Sequence, residues 1–230
     1  MSKLNIIKVD ESTIYSVIRE AVYSCIDKPI NIDDIKFHHN LHIEAIPSVL
    51  KHGLLSNKQK ARIIENRELT DHEIFIYSDE HYANGADYIS LASTEEDLSM
   101  MYEHEKLYNT YNTNLSSIIV SKKVKGTRNA ANNFNEYLVQ DMIPTKLFNS
   151  IELRLFKLFS VDFPFIPEEE KIKMTLQAYE AVREIALTLK QNNLDIPLRE
   201  SSNVMCNEES NNAITLNPEK IIKMPKLILK

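Results

Sequence analysis

The sequence predicts an α+β fold, with short strands gathered in the middle of the chain and helices flanking them at both ends. Three observations predict it. Residues 10–26 and 168–191 place apolar side chains at three- and four-residue steps, the period of a helix. Four short apolar runs, at 35–39, 88–92, 117–122 and 136–140, have the length and make-up of strands. The chain has 230 residues, 43% of them hydrophobic and 26% charged, which is enough to bury one substantial core.

Taken in order, the first helix runs over 10–26, with Asp10 or Ser12 to cap it and Ile14, Val17, Ile18, Ala21 and Val22 as its apolar stripe. Pro29 and the Asn31–Asp34 cluster then break the chain. A short strand over 35–39 leads into a helix over about 43–52. Pro47 falls early in that helix, and Gly53 stands where a left-handed C-cap belongs. Residues 56–86 read as irregular, with a helical turn around 58–65 and a strand at 74–77. After the strand at 88–92, Ser93 or Thr94 caps a helix with an acidic first turn that reaches about Tyr108. Strands follow at 117–122 and 136–140, joined by an exposed Asn- and Lys-rich loop over 123–135. From about Thr145 the character is helical. The expected organisation is a single domain: a core over 1–160, N-terminal helix included, with a helical C-terminal extension over 161–230 packed on it.

Composition narrows the function classes. Three glycines, and neither GxGxxG nor GxxxxGK[ST], leave no glycine-rich phosphate loop. The net charge of −6 gives no general attraction to nucleic acid, so any such contact needs a local basic patch. Cys25 and Cys206 lie far apart and read as reduced thiols. With no apolar leader at the N-terminus and no apolar run of membrane-spanning length, a cytoplasmic protein without a membrane partner is expected.

The candidate chemistry begins with His38, His39 and His42. Neighbours in a strand face opposite ways, so His38 and His39 do not share one ion, and HExxH is missing; no metal is expected. A histidine in such a run is ordinarily either buried and hydrogen-bonded or solvated. Glu136 opens the last of the four strands, a position that is ordinarily a solvated strand end.

The segment HNLHIEAIPSVLKHGLLS, residues 39–56, resembles the start of ADP-ribosyltransferases, in particular the DarT-like family that modifies nucleic acid. His39, His42, Ile43, Leu50, Gly53 and Leu54 carry the likeness. Tyr88-Ile-Ser-Leu-Ala92 is similar to the family's second core strand, and Asn135-Glu136-Tyr137-Leu138-Val139 with Ile143-Pro144 to its catalytic-glutamate strand. The resemblance covers roughly residues 35–148. It implies a split β-sheet core with NAD as the substrate, cleaved with release of nicotinamide.

On that resemblance Glu136 and His39 are the catalytic pair. His39, Asn40, Leu41, Tyr88 and Ser90 are the NAD-binding residues, and Arg62, with Arg67 as the other candidate, supplies the family's arginine. The expected activity is that of a mono-ADP-ribosyltransferase of toxin or effector type, a glycosyltransferase, with an antitoxin or immunity protein as a partner. Phe134 stands where arginine-modifying members carry Glu or Gln. Lys122, Lys123, Lys125 and Arg128 form a local cationic stretch, so Lys123, Lys125 and Phe134 are the expected acceptor contacts. The acceptor is nucleic acid or protein, and a plain solvated loop is the competing reading. Leu41 and Ala45 replace a threonine and an asparagine usual in the family. They leave open a second function, that of an inactive ADP-ribosyltransferase-like interaction protein.

Overall fold

The computed structural model describes residues 5–27, 30–31, 37–77, 85–93, 116–128, 136–155, 166–200 and 212–230. The chain is α+β, built on a large mixed sheet with helices against one face. The sheet orders as β2 (Ile30–Asn31), β12 (Asn212–Leu216), β11 (Leu198–Glu200), β10 (Phe148–Leu153), β6 (Ser116–Val120), β3 (Phe37–Leu41), β5 (Tyr88–Ser93), β8 (Tyr137–Gln140) and β7 (Thr127–Arg128). Among the described residues of this sheet, β10 and β11 run parallel and the other pairs are antiparallel. Two small ribbons join β1 (Ile6–Val9) to β13 (Lys226–Leu229) and β4 (Leu54–Leu55) to β9 (Met142–Ile143).

Alternation along each strand sorts the two faces. Phe37, Leu91, Ile118, Val120, Val139, Ile151, Leu153 and Leu198 belong to one continuous apolar core. Against it pack α1 (Ile14–Tyr23), α2 (Ile46–His52) and α5 (Glu168–Gln191) through Ile14, Ile18, Ile46, Leu50, Tyr179 and Ile185. The opposite face carries His38, Ser117, Glu136, Ser150, Arg199 and Thr215, all buried and polar. One side of the sheet is therefore apolar, while the other sets these buried polar groups among Ala92, Ile119 and Leu138.

Several expectations hold locally. The helix over 168–191 is α5, and the strand at 88–92 is β5 with one more residue. The segment after β3 is a 3-10 turn, Ile43–Ala45, running into α2 with Pro47 in its first turn. Gly53 has the expected positive φ of 84°, but its ψ of 175° takes it out of the left-handed helical well into a region essentially reserved for glycine. A Cβ there would sit 2.6 Å from the Ile143 carbonyl oxygen, because β4 turns straight onto β9. The turn around 58–65 is α3 (Asn57–Ile63), capped by Ser56, whose hydroxyl accepts from the Gln59 amide at 3.3 Å.

Three expectations fail. Neither Asp10 nor Ser12 caps the first helix: α1 begins at Ile14 after Thr13, whose side chain makes no capping bond. Residues 74–77 are not a strand but the end of α4 (Asp71–Tyr77). A reciprocal cap overrides their β-propensity: the Glu73 amide donates to Thr70 Oγ1 and the Thr70 amide to Glu73 Oε2, at 3.2 and 2.9 Å. The stretch beyond Thr145 is not uniformly helical, since it supplies β10, β11, β12 and β13. In β10, Ile151 and Leu153 enter the core while Ser150 and Glu152 lie on the opposite face, a period of two. α6 (Pro218–Ile222) caps on Asn217 and precedes β13. The helix expected over about 94–108 and the site residue Phe134 lie outside the described residues.

Candidate functional site

The three strands singled out by sequence, β3, β5 and β8, lie side by side. Among the described residues β3 pairs with β6 from Phe37 through Leu41, but with β5 only at Phe37 and His38. The two strands part after His38, and His39 is the first residue past the fork. There its Nδ1 lies 2.9 Å from the Ser90 carbonyl oxygen. A carbonyl oxygen only accepts, so Nδ1 carries the hydrogen, and in the neutral ring Nε2 is an acceptor. The imidazole takes over where the backbone ladder stops.

Glu136 stands one residue before β8 and is 5% exposed. The register that pairs Leu91 with Tyr137 sets Glu136 opposite Ala92, and Ala92 is the partner of His38. Glu136 and His38 are thus two strand spacings apart, roughly 10 Å across the sheet, with Ala92 of β5 between them. Ser90 and Tyr88, two and four residues from Ala92, share that face. By the same alternation His39 follows Phe37 and Leu41 on the core side. It meets Ser90 through the fork, not across a common face.

His38 is buried on the Glu136 face. Burial first, then the positive charge of Arg154 and the neighbouring His39, push its pKa down to about 3, so its ring is neutral at physiological pH. Asn40, also on this face, is part of a polar network. Its Oδ1 accepts from the Ser117 hydroxyl and from the Arg154 guanidinium, the latter at 3.0 Å, and Arg154 also donates to Ser117 Oγ at 2.9 Å. Leu41 packs against the core edge, and its carbonyl accepts from the Ser116 hydroxyl at 2.7 Å.

The arginine candidates are engaged with acidic partners in their own segment. Arg62 donates from Nε to both Glu68 carboxylate oxygens, at 2.9 and 3.0 Å, and Arg67 pairs with Glu65 and Glu73. Both guanidinium groups are surface groups of the α3–α4 segment. Lys123 and Lys125 are exposed on the turn between β6 and β7. That turn reaches β8 through β7, where Arg128 is the strand partner of Tyr137, the residue after Glu136. Among the described residues no cluster of His, Cys, Asp and Glu is arranged to hold a metal ion, and no helix is long and apolar enough to cross a membrane.

Sequence reading missed the row beside the fork. Asn40, Ser117, Glu152, Arg199 and Thr215 are successive partners across β3, β6, β10, β11 and β12. Glu152 lies 3.8 Å from both Arg154 and Arg199, and Arg199 donates to Ser150 Oγ at 3.2 Å. The signal was present in Ser150-Ile-Glu-Leu-Arg-Leu155, where polar and apolar residues alternate. No protein-family model, curated protein or solved structure matches the chain.

Proposed function

We propose that the protein is an NAD-dependent mono-ADP-ribosyltransferase, with the fork between β3 and β5 as the place where the nicotinamide riboside end of NAD is held. The observation that supports this most is the adjacency of the three motif strands. β3, β5 and β8 bring His39, Ser90 and Glu136, more than 90 residues apart in sequence at the extremes, within two strand spacings, with His39 on the core side of the sheet and Glu136 on the other. The parting of β3 from β5 is in keeping with the split sheet that the resemblance implies.

In this reading the Nδ1–Ser90 bond orients the imidazole so that Nε2 accepts a hydrogen bond from a ribose hydroxyl. Glu136, as a carboxylate in a site screened from water, faces the positive charge that grows on the ribose as its C1–nicotinamide bond breaks. The acceptor's heteroatom forms the new bond to C1, the bonding pair leaves with nicotinamide, and the acceptor's proton passes to Glu136 and then to solvent. His38, held neutral, adds no positive charge to the same face.

The acceptor is nucleic acid or protein. The exposed Lys123 and Lys125, on the strand connection leading to the partner of Tyr137, favour a polyanion. Expression of the parent and of Glu136→Ala, followed by mass spectrometry of total nucleic acid and protein, tests the reading. An added mass of ADP-ribose in the parent alone, on one class of macromolecule, supports it. Equal spectra from both would leave the interaction-protein alternative, which Leu41 and Ala45 favour.

A further inference from the structure

Two aromatic rings meet on the core side at the base of the fork. Phe37 and Tyr137 stack with centroids 4.5 Å apart and planes 28° from parallel. They belong to β3 and β8, so the stack reaches over β5, which lies between them. Phe37 is one residue from the last β3–β5 pair, and Tyr137 immediately follows Glu136. Gly126 closes in on the same ring: a Cβ there would stand 2.6 Å from Tyr137 Cε1 and 2.3 Å from the Leu138 carbonyl oxygen. Phe37 is fully in the core, whereas Tyr137 is partly buried against it.

We infer that Phe37 and Tyr137 are a positioning pair, which clamps the base of the fork and so fixes the Glu136 carboxylate relative to the imidazole of His39. Neither ring lies on the Glu136 face of the sheet, so the pair acts through the backbone of β3 and β8. Stacked rings have a preferred offset, and an aliphatic side chain of similar volume fills the space without imposing it. Gly126 belongs to the device because a Cβ there would run into both the Leu138 carbonyl and the Tyr137 ring. This inference rests on the NAD-cleaving reading for its kinetic consequence, but not for its structural one.

The test uses Tyr137→Phe, Tyr137→Leu, Phe37→Leu and the double Phe37→Leu/Tyr137→Leu variant in the full chain. NAD cleavage gives kcat and KM, and hydrogen exchange of residues 137–140 is compared with that of β10. Tyr137→Phe keeps the ring and is expected to match the parent within about twofold. Each leucine variant is expected to lose about tenfold in kcat with KM changed less than about threefold, and the double variant to be no slower than either single one. Exchange over 137–140 should quicken about tenfold in the leucine variants while β10 stays as in the parent. Losses that multiply in the double variant, or folded leucine variants with parental kcat, would overturn the clamp. Should the parent cleave no NAD, the enzymatic reading falls while exchange still decides the clamp, because unchanged exchange over 137–140 refutes it.

Discussion

Nδ1 of His39 donates to the carbonyl oxygen of Ser90 across 2.9 Å, at the point where β3 and β5 cease to pair. A side chain there does the work of a backbone rung, and its other nitrogen has a defined role as acceptor. Replacing the ring by Ala removes both. The expected result for His39→Ala is a fall of about 100-fold in NAD cleavage, with a smaller loss for His39→Asn. Steady-state nicotinamide release measures it.

Glu136 is buried, and the amide of Gln has nearly the same shape. Glu136→Gln is therefore expected to keep the fold, with a melting temperature close to the parent's, because a buried carboxylate costs more to desolvate than an amide. Transfer should drop by about 100- to 1,000-fold, the range for losing a group that handles charge and a proton in the transition state. Differential scanning fluorimetry beside the activity assay separates the two effects.

His38 makes stability depend on pH. In the fold its ring stays neutral down to about pH 3, whereas in the unfolded chain it takes a proton below about 6.5. Between those values the unfolded state binds the extra proton, so stability is fully present above about pH 6.5 and is lost as pH falls towards 3. At its steepest this one group contributes about 1.4 kcal/mol per pH unit. Urea unfolding from pH 7 to 4 should show a shallower slope in His38→Phe than in the parent, whatever the absolute stability of that variant.

Gly53→Ala should destabilise the protein by roughly 2 kcal/mol or more, since φ is positive and the new methyl would meet a carbonyl oxygen. The urea midpoint should fall with an unchanged slope.

The C-terminal strands are structural partners of the core, not an annex. β11 pairs with β10, and α5 buries Ile172, Val182, Ile185 and Leu189 in the same apolar cluster as Ile118 and Leu153. A chain ending at residue 160 should therefore show no cooperative unfolding transition. Circular dichroism during heating checks this.

What could be read from sequence was what short-range pattern encodes. The strand at His39, the glycine after its helix, β5, β6, β8 and α5 all follow from periodicity, turn chemistry and caps within a window of a few residues. The pairing of β1 with β13 could not be read, because Ile6 and Lys226 meet only through the assembled fold. The identity of the residues around Asn40 was hidden in the same way: Ser117 and Arg154 reach it by strand pairing across 77 and 114 residues. β10 and α4 were legible in principle, through the alternation at 150–155 and the Thr70–Glu73 box. At the fork, the alternation of His38 and His39 could be foreseen; which of them shares a face with Glu136 depended on the register of two further strand pairs.

The most direct test is nicotinamide release from NAD by the purified parent and by Glu136→Gln, with and without added nucleic acid. Release by the parent, at least about 100-fold faster than by the variant, is the predicted result. A folded parent that releases no more nicotinamide than Glu136→Gln under either condition would contradict NAD cleavage at the fork.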